Sequence, residues 1–339
     1  MNEITPTNYN YLTARPFALH PGDEKAFETL AIEWFRMQYD HNEVYKLFCK
    51  SLAVDPASVT SLQKIPFLPI EAFKTNRIIT SLTDHNNETI FTSSGTSGSA
   101  VSKHYVSDLA LYEKSFLTAF EQFYGDPSEY CILALLPSYL ERGGSSLVYM
   151  AQRLIKESRH LKSGFYLDNY SELVDTIKYL NEKKQRTLLL GVSYALLDLA
   201  DTGIKLGPHF KVMETGGMKG RREEMLKSEL HEILKTKLGI AQVHSEYGMT
   251  ELLSQAYSKG DGLFTTPPWM KILIRDTNDP FSYLAPARTG GINVIDLANL
   301  NSCSFIATQD LGKKYPDGTF ELMGRFDNSD IRGCNLLVE

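Results

Sequence analysis

Cysteine is scarce and scattered. Cys49, Cys131, Cys303 and Cys334 form no CxxC pair and no metal-ligand spacing, so a cysteine-ligated metal site is not expected, and a reducing, cytoplasmic compartment is. No apolar run approaches the roughly 20 residues needed to span a bilayer. The first residues, MNEITPTNYNYL, have neither the basic start nor the apolar core of a secretory signal. The net charge of -6 supplies no global basic field to recruit nucleic acid. Internal repeats and low-complexity tracts are also missing. The balance of 42% hydrophobic and 22% charged residues over 339 positions is that of an ordinary globular protein with a core of useful size. Two domains are expected, or one large domain with an appendage.

The stretch around which the chain is organised is TSSGTSGSAVSK, Thr92 to Lys103. Its small residues let backbone N–H groups approach an anion closely. Ser93, Ser94, Thr96 and Ser97 add hydroxyls around Gly95 and Gly98, and Lys103 adds a positive charge. Ile90 and Phe91 fit the end of a strand, and residues 109–120 read as a helix. Strand, glycine-rich loop and helix together suggest a phosphate cradle. The spacing is not that of a Walker A loop, nor that of a nucleophile elbow. The alternative is a Ser/Gly-rich surface linker.

Ahead of the loop, residues 22–53 carry apolar positions at helical spacing. Pro66 and Pro69 bracket a short extended piece. After the loop, buried-strand runs at 130–136, 186–192, 210–214 and 241–245 and a short strand at 164–166 alternate with helical patterns. Those helices are expected at 146–156, 171–181, 194–200 and 219–238, with Ser171 and Asp168 as a start signal for the second. The alternation predicts an α/β architecture with a largely parallel sheet. Ligands in such sheets sit outside the carboxyl ends of the strands. The glycine-rich loop, the Gly216-Gly217 turn and the segment after Val243 would lie at that edge. From Gly262 the texture turns to short β-rich runs separated by turns. The expected divisions are a helical N-terminal region packed on the main domain (1–80), an α/β nucleotide-binding core (81–261), a small β subdomain (262–322) and a hinge with a short tail (323–339).

His244-Ser-Glu-Tyr-Gly-Met-Thr-Glu251 follows a strand. Tyr247 offers a flat face to a base, Thr250 a donor to a phosphate, and Glu251 a carboxylate for Mg²⁺. An ordinary turn with a helix-capping pair is the alternative. Asp310, in TQDLG, is placed to accept from both ribose hydroxyls or to cap a turn. Arg325 opens the charged run GRFDNSDIRG, which by itself reads as a solvated face.

Taken in order, TSSGTSGSAVSK, YGMTE, TQDLG and GRFDNSD resemble successive motifs of the adenylate-forming superfamily, over about residues 85–334. Within it, PSYLERGGSS, ETGGMKGR and the ending SDIRGCNLLVE resemble the acyl-protein synthetases of bacterial luminescence operons, the LuxE type. The resemblance implies a large adenylate-forming domain and an ATP- and Mg²⁺-dependent ligase. Such an enzyme activates a carboxylic acid, in this group a fatty acid, to acyl-AMP, releases pyrophosphate, and passes the acyl group to a thiol. It assigns the ATP β- and γ-phosphates to the loop from Thr92 to Lys103, and the adenine to Gly216, Gly217 and Tyr247. The α-phosphate goes to Thr250, Mg²⁺ to Glu251, and the ribose to Asp310 with Arg325 nearby. Asp327 falls at the hinge. Cys334 matches the cysteine that takes the acyl group as a thioester, and Arg332 beside it would lower the thiol pKa. The alternative for Cys334 is a small buried residue in a terminal strand.

The resemblance departs at one point. Superfamily members continue past the hinge into a lid domain that supplies a catalytic lysine, and its absence is expected here. Lys103 or Lys219 is expected to supply that charge. Two other functions stay open: a ligase that passes an aromatic or small acid to coenzyme A or a carrier protein, and a nucleotide-binding module without turnover. The acyl pocket is located only loosely, near Tyr139, Gly143, Gly144 and Ser145.

Overall fold

The computed structural model describes residues 6–83, 88–93, 101–137, 143–167, 169–218, 221–223 and 225–326. Two compact units emerge, one from the described residues of 1–87 and 268–339, the other from those of 88–267.

The first unit begins with α1 (Pro6–Ala14), α2 (Glu24–His41) and α3 (Glu43–Ser51). The helical pattern of 22–53 is thus two helices, broken at Asn42. Asn42 ends α2, and its side chain caps α3 by accepting from the Tyr45 N–H at 3.0 Å, as its short amide favours. Its amide nitrogen also donates to the Ser302 carbonyl at 2.9 Å. One turn earlier, the buried Gln38 donates to the carbonyls of Asn299 and Leu300 at 3.1 and 3.0 Å and accepts from the Ser304 N–H at 2.9 Å. The Trp34 indole donates to the Leu297 carbonyl at 2.9 Å. These side chains pair with buried backbone groups of the 297–304 turn, as burial of polar groups requires. Next come β1 (Leu68–Pro69) and α4 (Ala72–Thr75).

The second unit opens with β2 (Thr89–Thr92), β3 (Lys103–Val106) and α5 (Leu109–Tyr124). A βα series follows: β4 (Cys131–Leu135), α6 (Ser146–Ser158), β5 (Gly164–Phe165), α7 (Tyr170–Lys183), β6 (Thr187–Val192), α8 (Ser193–Asp201), β7 (Phe210–Thr215), α9 (Lys227–Leu238) and β8 (Val243–Tyr247). Then come β9 (Ala256–Ser258) and β10 (Phe264–Thr265). Strand order is β5-β4-β6-β7-β8, all parallel, continued by the antiparallel β9 and β10. Every residue of β4 and β6 is buried, as a parallel sheet covered on both faces demands. Each buried aliphatic side chain there contributes about 1.5–3 kcal/mol.

Three expectations are corrected in this unit. The α7 cap is Asn169, whose Oδ1 accepts from the Glu172 N–H at 3.1 Å; Asp168 lies outside the described residues and Ser171 is already inside the helix. The helix expected from 219 starts only at Lys227. The strand expected to stop at Ser245 runs on through Glu246 and Tyr247.

The first unit is completed by β11 (Met270–Arg275), β12 (Thr289–Asp296), β13 (Phe305–Lys314) and β14 (Phe320–Arg325), an antiparallel series, with β1 added parallel to β13. No described helix is long and apolar enough to cross a membrane.

Candidate active site

In the parallel ladder of the second unit, β6, β7 and β8 finish close together: Val192 pairs with Thr215, and Glu214 with Ser245. Two turns therefore leave the same sheet edge side by side. One is Gly216-Gly217. Gly216 takes φ +70°, which a side chain would strain, and open space faces Gly217 where a Cβ would point. The other begins at Tyr247, which ends β8 nearly buried. The Thr250 carbonyl meets the His104 ring Nδ1 at 2.8 Å. Glu251 is buried. Among the described residues, no group of three or more His, Cys, Asp or Glu side chains is arranged to hold a metal. A Mg²⁺ ion at Glu251 would therefore draw most of its ligands from phosphate and water, the usual habit of that ion.

The glycine-rich loop joins two strands, not a strand and a helix. Thr92 of β2 stands opposite Lys103 of β3. The Ser93 N–H donates to the Ser102 carbonyl at 3.1 Å, and the Ser102 N–H returns a bond to the Ser93 Oγ at 2.9 Å. The alternation of strands with helices elsewhere concealed this hairpin. Lys103 is exposed at its base. Ser94, Gly95, Thr96, Ser97 and Gly98 lie outside the described residues, as do Tyr139, Lys219, Asp327, Arg332 and Cys334. The Gly144 carbonyl accepts from the Thr92 N–H at 2.8 Å, and the Ser145 Oγ caps α6. Gly143 to Ser145 thus join the hairpin to a helix start.

In the first unit, Asp310 pairs with Arg325 across β13 and β14, and the Arg325 Nε donates to the Asp310 Oδ1 at 3.0 Å. Asp310 is 9% exposed and lies within a strand, so the turn-cap alternative does not hold.

Two carboxylates escaped the sequence reading. Glu214 in β7 is buried, ion-paired to Lys227 of α9, and within 3.5 Å of the His231 Nε2. Burial alone would raise its pKa. The Lys227 charge and hydrogen bonds from His231, Lys227 and Ser245 outweigh burial and hold the group at about 2. The Lys227 ammonium also stands 5.2 Å from the Phe264 ring centroid, and the Phe264 ring meets Tyr247 edge-on. Phe264 thus touches both Lys227 and the Tyr247 ring.

Glu246 in β8 accepts from the Thr215 hydroxyl at 2.5 Å. Burial, with the Glu214 charge added, lifts it to about 7 against the pull of Thr215 and Lys227. Glu214 ends a run that reads as strand and Glu246 follows one, and the side chains that hold them are distant in sequence. Only the buried charge itself was a signal.

The thiols of Cys49, Cys131 and Cys303 are buried, and burial pushes them up to about 12, 11 and 12. At neutral pH they are poor nucleophiles.

The family described as "Acyl-protein synthetase, LuxE" matches residues 3–114. A long-chain-fatty-acid–luciferin-component ligase of Photorhabdus luminescens is 37% identical over 75 residues, 22% of this chain and 63% of that protein. One from Vibrio harveyi is 23% identical over 327 residues, covering 89% of this chain and 84% of its own. Among solved structures, ATP-bound MatB from Rhodopseudomonas palustris superposes with a TM-score of 0.54 at 18% identity, over 73% of this chain and 50% of that one. An open form of 2-hydroxyisobutyryl-CoA ligase, in complex with 2-HIB-AMP and CoA, superposes with a TM-score of 0.65 at 12% identity, over 92% and 75%. The chain thus spans 63% of the Photorhabdus relative and about half of MatB. Over residues 3–114 the chain is thus similar to the LuxE acyl-protein synthetases, and its fold is shared with MatB and 2-hydroxyisobutyryl-CoA ligase.

Proposed function

We propose that this chain activates a carboxylic acid, foremost a fatty acid, with ATP, and passes the acyl group to a thiol, foremost Cys334. One observation carries the reading: the Thr215–Gly217 and Tyr247–Glu251 segments leave one sheet edge side by side, in a fold shared with a ligase solved with 2-HIB-AMP.

In the first step a carboxylate oxygen attacks the α-phosphorus. The bond from that phosphorus to the bridging oxygen breaks, and pyrophosphate leaves with the electron pair. Charge gathers on phosphate oxygens, so donors placed in advance do most of the work. The Thr92–Lys103 loop holds the terminal phosphates through N–H and hydroxyl donors. Thr250 contacts the α-phosphate, while Gly216, Gly217 and Tyr247 line the base. Asp310, held by Arg325, takes the ribose hydroxyls. Mg²⁺ at Glu251 offsets phosphate charge when bound. Lys103 or Lys219 supplies the remaining positive charge. In the second step a thiolate attacks the acyl carbon and AMP leaves.

A second acceptor is favoured by the CoA bound to 2-hydroxyisobutyryl-CoA ligase: the thiol of coenzyme A. Intact-mass analysis after incubation with ATP, Mg²⁺ and candidate acids separates the two. An acyl adduct abolished by Cys334→Ser supports the protein thiol. Acyl-CoA formation without an adduct supports the external one. Absence of acid-dependent pyrophosphate exchange across the acid panel overturns the whole reading.

A further inference from the structure

Glu246 lies between the two turns assigned to the nucleotide. Along β7 and β8, side chains alternate between the faces of the sheet. Glu214, with Lys227 and His231, occupies one face. Glu246 and Thr215, one position further along their strands, occupy the other. The Glu246 Oε2 takes the Thr215 hydroxyl, directly before Gly216-Gly217. The Oε1 fills the space that a Cβ on Gly248 would need, inside the second turn. One carboxyl thus touches both segments.

We propose that Glu246 is a positioning residue that clamps the Thr215–Gly217 turn to the Tyr247–Glu251 turn and so sets the slot offered to the base of ATP. The inference rests on the adenylating function proposed above. The clamp is tightest when Glu246 is ionised, because a carboxylate accepts a hydroxyl hydrogen bond more strongly than a neutral carboxyl does. The groups that bear on its charge are Glu214 on β7, Lys227 on α9, and Tyr112, Tyr124 and Tyr257 on α5 and β9. On its own strand and face stands His244, and His231 lies beyond the sheet with Glu214. The ionisation of Glu246 is centred near pH 7, so affinity for ATP rises with pH through neutrality.

The test is the KM for ATP and kcat in acid-dependent pyrophosphate exchange from pH 6 to 8, with the Kd for Mg-ATP by calorimetry, for the full chain and for Glu246→Gln, Thr215→Val and their double variant. Each single variant should raise KM and Kd about fivefold, the worth of one hydrogen bond, with a smaller effect on kcat. Glu246→Gln should flatten the pH dependence. The double variant should resemble either single one, because both break the same contact. Thr215→Val carries the test if Glu246→Gln does not fold. Parental KM, Kd and pH profile in the variants, accompanied only by a lower melting temperature, would reduce Glu246 to a structural role and overturn the clamp. If the parental chain binds Mg-ATP but exchanges no pyrophosphate, the adenylating function fails and the clamp is decided on Kd alone. If Mg-ATP does not bind, both fail.

Discussion

Asp310 faces Arg325 across the β13–β14 ladder, and the guanidinium Nε donates to its carboxylate at 3.0 Å. The arginine side chain is 69% exposed and the aspartate side chain 13%, so the contact adds little to stability while orienting the carboxylate. Asp310→Ala should weaken ATP binding tenfold to a hundredfold, the cost of losing a charge-assisted hydrogen bond. Arg325→Ala should weaken it less and leave the melting temperature within a degree or two, about the effect of a surface pair. Calorimetric titration with Mg-ATP and thermal melts check both.

Lys227 should matter more to folding than its partial exposure suggests. Its removal would take the ammonium partner from Glu214 inside the sheet and leave it the longer contacts of His231 and Ser193. Lys227→Met should cost about 3–5 kcal/mol in urea unfolding, and Glu214→Gln in the same background should recover part of it. Additive losses in the double variant would show that the pair is not coupled.

Three buried groups should tie stability to pH, two losing their contribution toward acid and one on the approach to neutrality. Glu214, depressed to about 2, contributes fully above the ordinary carboxylate value and loses that contribution as pH falls toward 2. His244 is held neutral at about 4 by burial and by the charges of Lys211 and Lys259. Its contribution is present above its unfolded value near 6.5 and is lost as pH falls through 4. Glu246 runs the other way: raised to about 7, it contributes most below about 4.5 and loses that as pH rises through 7. Urea titrations from pH 3 to 8 should show steep acid loss and a shallow decline near neutrality, the latter missing in Glu246→Gln.

Thiol chemistry should single out Cys334. Cys49, Cys131 and Cys303 are buried, with thiols raised to about 11 or 12. Native protein treated with iodoacetamide at pH 7.5 should take one adduct, at Cys334, and Cys334→Ser should take none. Labelling of any buried cysteine at a comparable rate would contradict this.

The catalytic charge should reside on Lys103 or Lys219. The double alanine variant should form acyl-adenylate about a hundredfold more slowly, the order expected for losing one transition-state donor. Burst measurement of acyl-AMP decides it, and a parental rate would refute the assignment.

Much of this protein was written in local pattern. Runs such as CILAL and TLLLGV are apolar throughout, and a strand covered on both faces cannot be otherwise. That property, repeated between amphipathic helices, determined the parallel sheet, and the order of short motifs carried the resemblance to a family. Tertiary structure alone decided what distance in sequence conceals. Gln38 and Asn42 read as ordinary helix positions, yet they serve the backbone of a turn about 260 residues away. Glu246 read as the residue after a strand, but strand pairing set it against Thr215 and buried its carboxyl. Hydrophobic periodicity is a property of neighbours along the chain. The ionisation and hydrogen bonding of a buried polar group are set by whatever the fold brings against it.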